Sequence, residues 1–183
     1  VSPARTYLDR DTVVRAAADL ADRDGWHAVT LSAVAKEVDR HVSSLYAHVD
    51  GLAGLHRAVA LLAFDELSEE VWRAALGRTK GDALEAIAQV YRDYARRHPG
   101  RTAALQSARH TDDADLGAAG LRLAEPVRAV LASFGLDDAR VQVAHRIFSG
   151  MVFGLLRTEE GPEDLHQAIA LLTAGLASGD WPG

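Results

Sequence analysis

Apolar residues recur at three- and four-residue spacing along almost the whole chain, so the pattern predicts helices throughout. Asp9 is placed to cap a first helix carrying Val13, Val14, Ala17, Leu20 and Ala21, which Gly25 stops. Thr30 caps a short helix with Val34, Ala35 and Val38 on one face; Val42, Leu45, Tyr46 and Val49 mark a second short one at about 41–48. Asp50 then opens a long helix to about Ala75, with Leu52, Leu55, Val59, Leu62, Phe64, Leu67, Val71 and Trp72 as its buried positions. After a Gly-containing loop at 77–82, Leu84, Ile87, Ala88, Tyr91 and Ala95 define a helix that Pro99-Gly100 should end. A short helix at 101–108, a polar break, and a helix at about 114–134 kinked by Pro126 follow. Gly135 and Asp137 separate it from a helix at about 138–157, and Gly161-Pro162 from a last one at about 163–178. The expectation is an all-α protein of about nine helices.

Composition agrees with that class: 48% of the 183 residues are hydrophobic and only 6% aromatic, enough apolar material for a full core. The absence of cysteine excludes a disulfide framework and thiolate metal sites and fits a reducing cytoplasm. No apolar run reaches the 18 residues of a membrane span, and the opening VSPARTYLDRD is not a signal peptide, so no membrane partner is expected. A net charge of −6 argues against indiscriminate nucleic-acid binding. Residues 1–60 carry seven Lys/Arg against eight Asp/Glu, so a basic face there needs local arrangement of Arg5, Arg10, Lys36, Arg40 and Arg57. Four of the eight His lie in the first 56 residues, where protonation below about pH 6.5 would strengthen such a face.

The stretch TLSAVAKEVDRHVSSLYAHVDGLAGL, residues 30–55, is the most informative. Two helices of two turns each bury little by themselves, and Arg40 to His48 hold one Arg, two His, two Ser and a Tyr with no acid, a surface suited to phosphates and base edges. Thr30-Leu31, Val34-Ala35, Leu45-Tyr46-Ala47-His48-Val49 and Asp50 together resemble the helix-turn-helix of the tetracycline-repressor (TetR) family of bacterial regulators, most closely over residues 9–60. The chain departs from that pattern with Val38-Asp39 where the family usually has Ala-Gly, His41-Val42-Ser43 for Ser-x-Gly, and Leu52 where a phosphate-contacting Lys is common. The resemblance implies a DNA-binding domain at 1–50 and a ligand-binding and dimerisation domain at 51–183. It implies that His41, Ser43, Ser44 and Arg40 lie at base edges, and that Thr30, Lys36, Tyr46 and His48 mainly hold phosphates of a pseudo-palindromic duplex.

The helices at about 138–157 and 163–178 are strongly apolar for terminal elements, and Gly150 and Gly154 flatten one side of the first. They either complete a monomer core or, as is usual in the family, form a two-fold four-helix bundle; a homodimer through both is the expectation. Trp72, Tyr91, Tyr94, Leu105, Leu123, Phe134, Phe148 and Met151 (with Phe153) mix aliphatic and polar-tipped aromatic surface; each taken singly reads first as ordinary core, and it is the family resemblance that implies a site among them for a small, mostly apolar effector. The segment His145–Gly161 resembles the Trp-His-Gly type of C-terminal domain found in some members, with Ser149-Gly150 for His-Gly. The reading is therefore a homodimeric repressor released from its operator by that effector.

Catalytic patterns are missing: no GxSxG, Walker, GxGxxG or HExxH motif occurs, and no cofactor is expected. Glu163-x-x-His166 has no second copy to complete a di-metal site. His110 with Asp112, Asp113 and Asp115 leaves a divalent-metal site open. Two rivals stand beside the regulator, which is not an enzyme: a helical ligand-binding or interaction module without specific DNA binding, and a small α-helical enzyme working through His110 and its aspartates.

Overall fold

The computed structural model describes residues 8–108, 112–156 and 162–178. Among them are nine α-helices: α1 (Arg10–Asp24), α2 (Leu31–Glu37), α3 (Val42–Leu45), α4 (Gly51–Ala75), α5 (Lys80–Arg97), α6 (Pro99–Ala108), α7 (Ala114–Ala132), α8 (Asp138–Leu155) and α9 (Pro162–Ser178), with a 3₁₀ turn at Trp26–Ala28. The all-α expectation holds, and no strand occurs among the described residues.

The helix ends follow local chemistry. Asp9 accepts the Thr12 N–H at 2.7 Å, Thr30 the Ala33 N–H at 3.1 Å and Asp137 the Arg140 N–H at 2.9 Å, each satisfying a donor that a helix start leaves orphaned. Gly25 and Gly135 close α1 and α7 with φ of 92° and 86°, a region where L side chains are strained.

By packing, the chain divides into two compact units, residues 1–64 with 97–117 and residues 65–96 with 118–183. This packing division does not coincide with the division at residue 50 expected from the sequence; α4 runs without a break from Gly51 to Ala75.

In the first unit α1, α2, α3, the start of α4 and α6 enclose a core of Val13, Ala17, Leu20, Val34, Leu45, Leu55, Val59 and Leu105. The α6 backbone reaches α1 at Gly100, where an added Cβ would collide with the Ala21 backbone. Arg101, only 7% exposed, ties the same helices: its Nη2 donates to Asp19 at 2.6 Å, Nη1 lies 3.0 Å from Asp22, and its own N–H donates to Asp22 at 2.9 Å. His98 Nδ1 lies 2.9 Å from the same Asp22 carboxylate. Pro99 thus begins α6, a position where its missing N–H costs nothing, instead of merely ending α5.

In the second unit Leu67, Val71, Leu84, Ile87, Tyr91, Tyr94, Leu123, Val127, Leu131, Phe148 and Ile169 form the core. Tyr91 meets Phe148 and Phe153 edge to face, with ring centroids 6.5 and 5.5 Å apart, and Tyr94 donates its hydroxyl to Glu66 at 3.1 Å. Two expected core positions of α4 are corrected: Leu52 and Trp72 are 39% and 42% exposed, Leu52 because it stands in the first turn, at the very end of the stripe it shares with Leu55 and Val59, and Trp72 because it lies about 100° around the helix from the buried Val71. Leu121 of α7 and Ile147 of α8 are likewise exposed.

Candidate nucleic-acid interface

The turn between α2 and α3 is built by the backbone. Asp39 N–H donates to the Lys36 carbonyl at 3.2 Å and Arg40 N–H to the Ala35 carbonyl at 2.9 Å, the paired bonds of a Schellman closure. Such a closure needs a left-handed residue, and Asp39 supplies it with φ of 51°. The Arg40 guanidinium donates to the Asp39 carbonyl at 2.8 Å, which folds its stem back over the turn.

Helix α3 is shorter than the 41–48 expected: it is a single turn from Val42 to Leu45, extended by turn geometry through His48. A helix this short has few internal bonds and a costly nucleus, so tertiary anchors must hold it. Leu45, fully buried, and Val49, 6% exposed, are those anchors, and the His48 and Val49 N–H groups both donate to the Leu45 carbonyl at 2.9 and 3.0 Å. With Leu45 fixed inward, His41, Ser43, Ser44 and Tyr46 are exposed, Tyr46 by 60%. Thr30 and Lys36 of the preceding segment are exposed as well; Arg40 and His48 are half-buried. The eight residues singled out in sequence therefore lie within one short stretch, of which six are open to solvent.

Charge around this stretch is partly internal. Glu37, at the end of α2, receives Arg23 Nη2 at 2.7 Å, which neutralises an acid close to Lys36. His48 contributes electrostatically to Asp9, whose carboxyl is held below its ordinary range chiefly by the Thr12 N–H. Trp26 lies against His56 of α4 with ring centroids 4.5 Å apart, and His56 Nε2 is 3.1 Å from the Val29 carbonyl, fixing the approach to α2. Of the basic candidates, Arg5 lies outside the described residues, and Arg57 is committed elsewhere. Its Nε donates to Asp113 at 2.6 Å and its Nη2 to Asp115 as well.

That commitment also bears on the metal candidates. Asp113 accepts Arg57 and the N–H groups of Asp115 and Leu116 at 3.0 and 3.1 Å, so it caps α7, and the Arg57 guanidinium foremost lowers its pKa to about 2. His110 lies outside the described residues, and among those described no three His, Cys, Asp or Glu side chains gather as metal ligands. His166 Nδ1 lies 3.1 Å from Glu85 of α5. Asp22, His98 and Arg101 have no motif to announce them, Gly100 reads in sequence only as a helix breaker and Asp113 only as a metal-ligand candidate; the packing of α1 on α6 and of Arg57 on the α7 cap shows their use.

The effector candidates fall in different places. Tyr91, Tyr94, Leu123 and Phe148 are buried in the second unit, Phe134 and Met151 are half-buried there, and Leu105 is buried in the first unit. Trp72 instead lines an open groove of about 290 Å³ with Leu76, Arg78, Lys80, Pro126 and Val130. On α8, Val143, Ile147, Gly150 and Gly154 share one exposed face, and on α9 Leu171, 76% exposed, precedes Gly175 by one turn. A Cβ at Gly150, Gly154 or Gly175 would meet nothing within 4 Å.

Among the described residues, no helix is long and apolar enough to cross a membrane. Residues 84–173 match the family described as tetracyclin repressor-like, C-terminal domain. The chain is 37% identical over 153 residues to the uncharacterised HTH-type transcriptional regulator Rv0681 of Mycobacterium tuberculosis, covering 83% of this chain and 70% of the relative. It is 30% identical over 96 residues to the uncharacterised HTH-type regulator YobS of Bacillus subtilis, covering 52% of this chain and 50% of that one. The fold resembles that of SCO7222, a TetR from Streptomyces coelicolor, at a TM-score of 0.75 and 18% identity, covering 94% of this chain and 99% of that one. It also resembles that of BioQ from Mycobacterium smegmatis at 0.74 and 21%, with 94% and 99% covered. An exposed polar turn on a buried Leu45, a helical body, and these likenesses over most of its length together place the chain in the TetR family of helix-turn-helix transcriptional regulators, which bind operator DNA.

Proposed function

We propose that the chain is a homodimeric repressor whose residues 1–50 read a pseudo-palindromic operator and whose residues 51–183 dimerise and take a small, mostly apolar effector. The observation that supports this best is the exposed set His41, Ser43, Ser44 and Tyr46, held outward by the buried Leu45. In the major groove the two serines and His41 present donors and acceptors to base edges, with Arg40 beside them. Thr30, Lys36, Tyr46 and His48 bind phosphates and fix register. One such head contacts too little DNA for specificity, and two at one helical-turn spacing supply it. The open stripes on α8 and α9 support a four-helix interface between two copies. Tyr91, Tyr94, Leu105, Leu123, Phe134, Phe148 and Met151, with Trp72, are the residues proposed to respond to effector. A chain acting on bacterial operator DNA works in the cytoplasm.

The test is a gel shift with the duplex upstream of its own gene. Tyr46→Ala with Arg40→Ala should weaken binding by about 1–3 kcal/mol per lost contact. Affinity untouched by the double variant would defeat the docking scheme. Binding without salt dependence would favour the non-DNA interaction module.

A further inference from the structure

The groove on the second unit has a mixed chemistry that a purely apolar ligand does not explain. Its floor is Trp72 of α4 with Pro126, Ala129 and Val130 of α7; its polar lining is Arg78 and Thr79 of the α4–α5 connection, Lys80 at the start of α5 and Ser133, so that both of its charged groups are cations and no carboxylate lines it. Both cations are placed by the fold. Arg78 Nη1 donates to the Ala74 carbonyl at 2.9 Å, which lays the guanidinium along the end of α4. Lys80 Nζ sits 5.7 Å from the centroid of the Phe134 ring, a cation–π contact that holds its ammonium at the rim.

Lys80 is also one of only two non-glycine residues with positive φ among those described, at 47°. A lysine gains nothing from left-handed backbone, which costs about 1–2 kcal/mol. Strain of this kind at a cleft is evidence of a functional constraint on where the side chain points. Lys80 begins α5, whose N-terminal turn adds partial positive charge on the same side.

We infer that this groove binds a small amphipathic carboxylate, a short- to medium-chain acyl acid, with its chain along Trp72, Pro126 and Val130 and its carboxylate between Arg78 and Lys80. About 290 Å³ is near the lower end of ligand pockets, which is room for a single short acyl chain. Two charge-assisted contacts are what distinguish the acid from an alcohol of the same length. The assignment rests on the regulator reading only for its purpose; binding itself involves no DNA.

Isothermal titration of the full chain with sodium octanoate and with 1-octanol tests it. Octanoate is expected to bind saturably at one site per chain, at least tenfold tighter than octanol. Arg78→Gln with Lys80→Gln should weaken octanoate at least tenfold and leave octanol unchanged. Ala129→Trp, at an exposed position of α7, should abolish both, with melting temperature confirming that each variant is folded. Equal affinity for acid and alcohol, octanoate binding indifferent to these substitutions, or no saturable octanoate binding would each overturn the assignment. Failure of the apo protein to bind operator would instead defeat the regulator reading and leave the titration result standing.

Discussion

Arg40 donates its backbone N–H to the Ala35 carbonyl at 2.9 Å, and the residue between α2 and this bond, Asp39, is left-handed. The geometry is the one a glycine makes without strain, and the family usually places glycine there. Asp39→Gly is therefore expected to stabilise the chain by roughly 1 kcal/mol, the left-handed cost of a side chain less the entropy glycine adds to the unfolded state. Asp39→Val should destabilise it by more, since a β-branched side chain is least tolerant of positive φ. Urea melts of the two variants check the ordering.

Arg57 and Asp113 make a pair whose pH dependence has a definite sign. The folded pKa of Asp113 is about 2, below its ordinary value of 3.8, because the Arg57 guanidinium donates to it. The stabilisation is present above pH 3.8 and is lost as pH falls through about 2. Asp113→Asn should flatten the stability-against-pH curve in that interval and change little at pH 7 beyond a constant offset. A variant curve parallel to the wild type between pH 4 and 2 would show that the pair does not carry it. The offset should be modest, since a partly exposed ion pair is screened by water.

Gly100 measures how closely α6 approaches α1. Gly100→Ala forces its methyl group into the Ala21 backbone, which has no flexible end to move aside, so a loss of about 1–3 kcal/mol is expected. Gly117→Ala is the control: it lies in α7 with nothing within 4 Å of the new Cβ, and should stabilise by up to about 1 kcal/mol through helix propensity. Thermal melts of both separate overpacking from a general response to glycine loss.

The dimer proposal has its own readout. Ile147 of α8 and Leu171 of α9 are exposed by 45% and 76%, large for aliphatic side chains on otherwise well-packed helices. Ile147→Glu with Leu171→Glu should convert a dimer to monomer in size-exclusion chromatography with light scattering, and should weaken operator binding while leaving helix content intact. Retention of the wild-type mass would move the interface elsewhere.

What the sequence disclosed follows from the range of the forces involved. Caps at Asp9, Thr30 and Asp137 and stops at Gly25 and Gly135 act within four residues, so their local signals were sufficient. The exposed polar turn after α2 was legible for the same reason. Gly100 was not: in sequence it stands beside Pro99 as a breaker, and its use is a contact with a helix about eighty residues earlier. Arg57 is illegible for the same reason, since nothing near it in sequence shows that Asp113 and Asp115 meet it. Trp72 and Leu52 read as core in sequence because both are large and apolar on a helix, but a helix as long as α4 has more apolar positions than its neighbours cover.

Leu52 yields the last expectation. It is 39% exposed in the first turn of α4, two residues after Asp50, and stands where the family commonly has a phosphate-contacting lysine. Its side chain therefore has room for substitution without disturbing the core that Leu55 and Val59 fill. Leu52→Lys adds one cation to a region in which Lys/Arg and Asp/Glu nearly balance. If that turn of α4 lies against the duplex backbone, each operator half-site gains a phosphate contact and releases about one more counterion. Operator affinity should then rise, and the slope of log K against log salt should steepen by about 0.9 for each head engaged, roughly 1.8 for a dimer. The sequence preference should not change, because a phosphate contact carries no base information. Gel shifts at a series of salt concentrations, on the operator and on a scrambled duplex, give both quantities. An unchanged slope on the operator would place the start of α4 away from the backbone, and the orientation of the reading turn would then have to be redrawn about Tyr46.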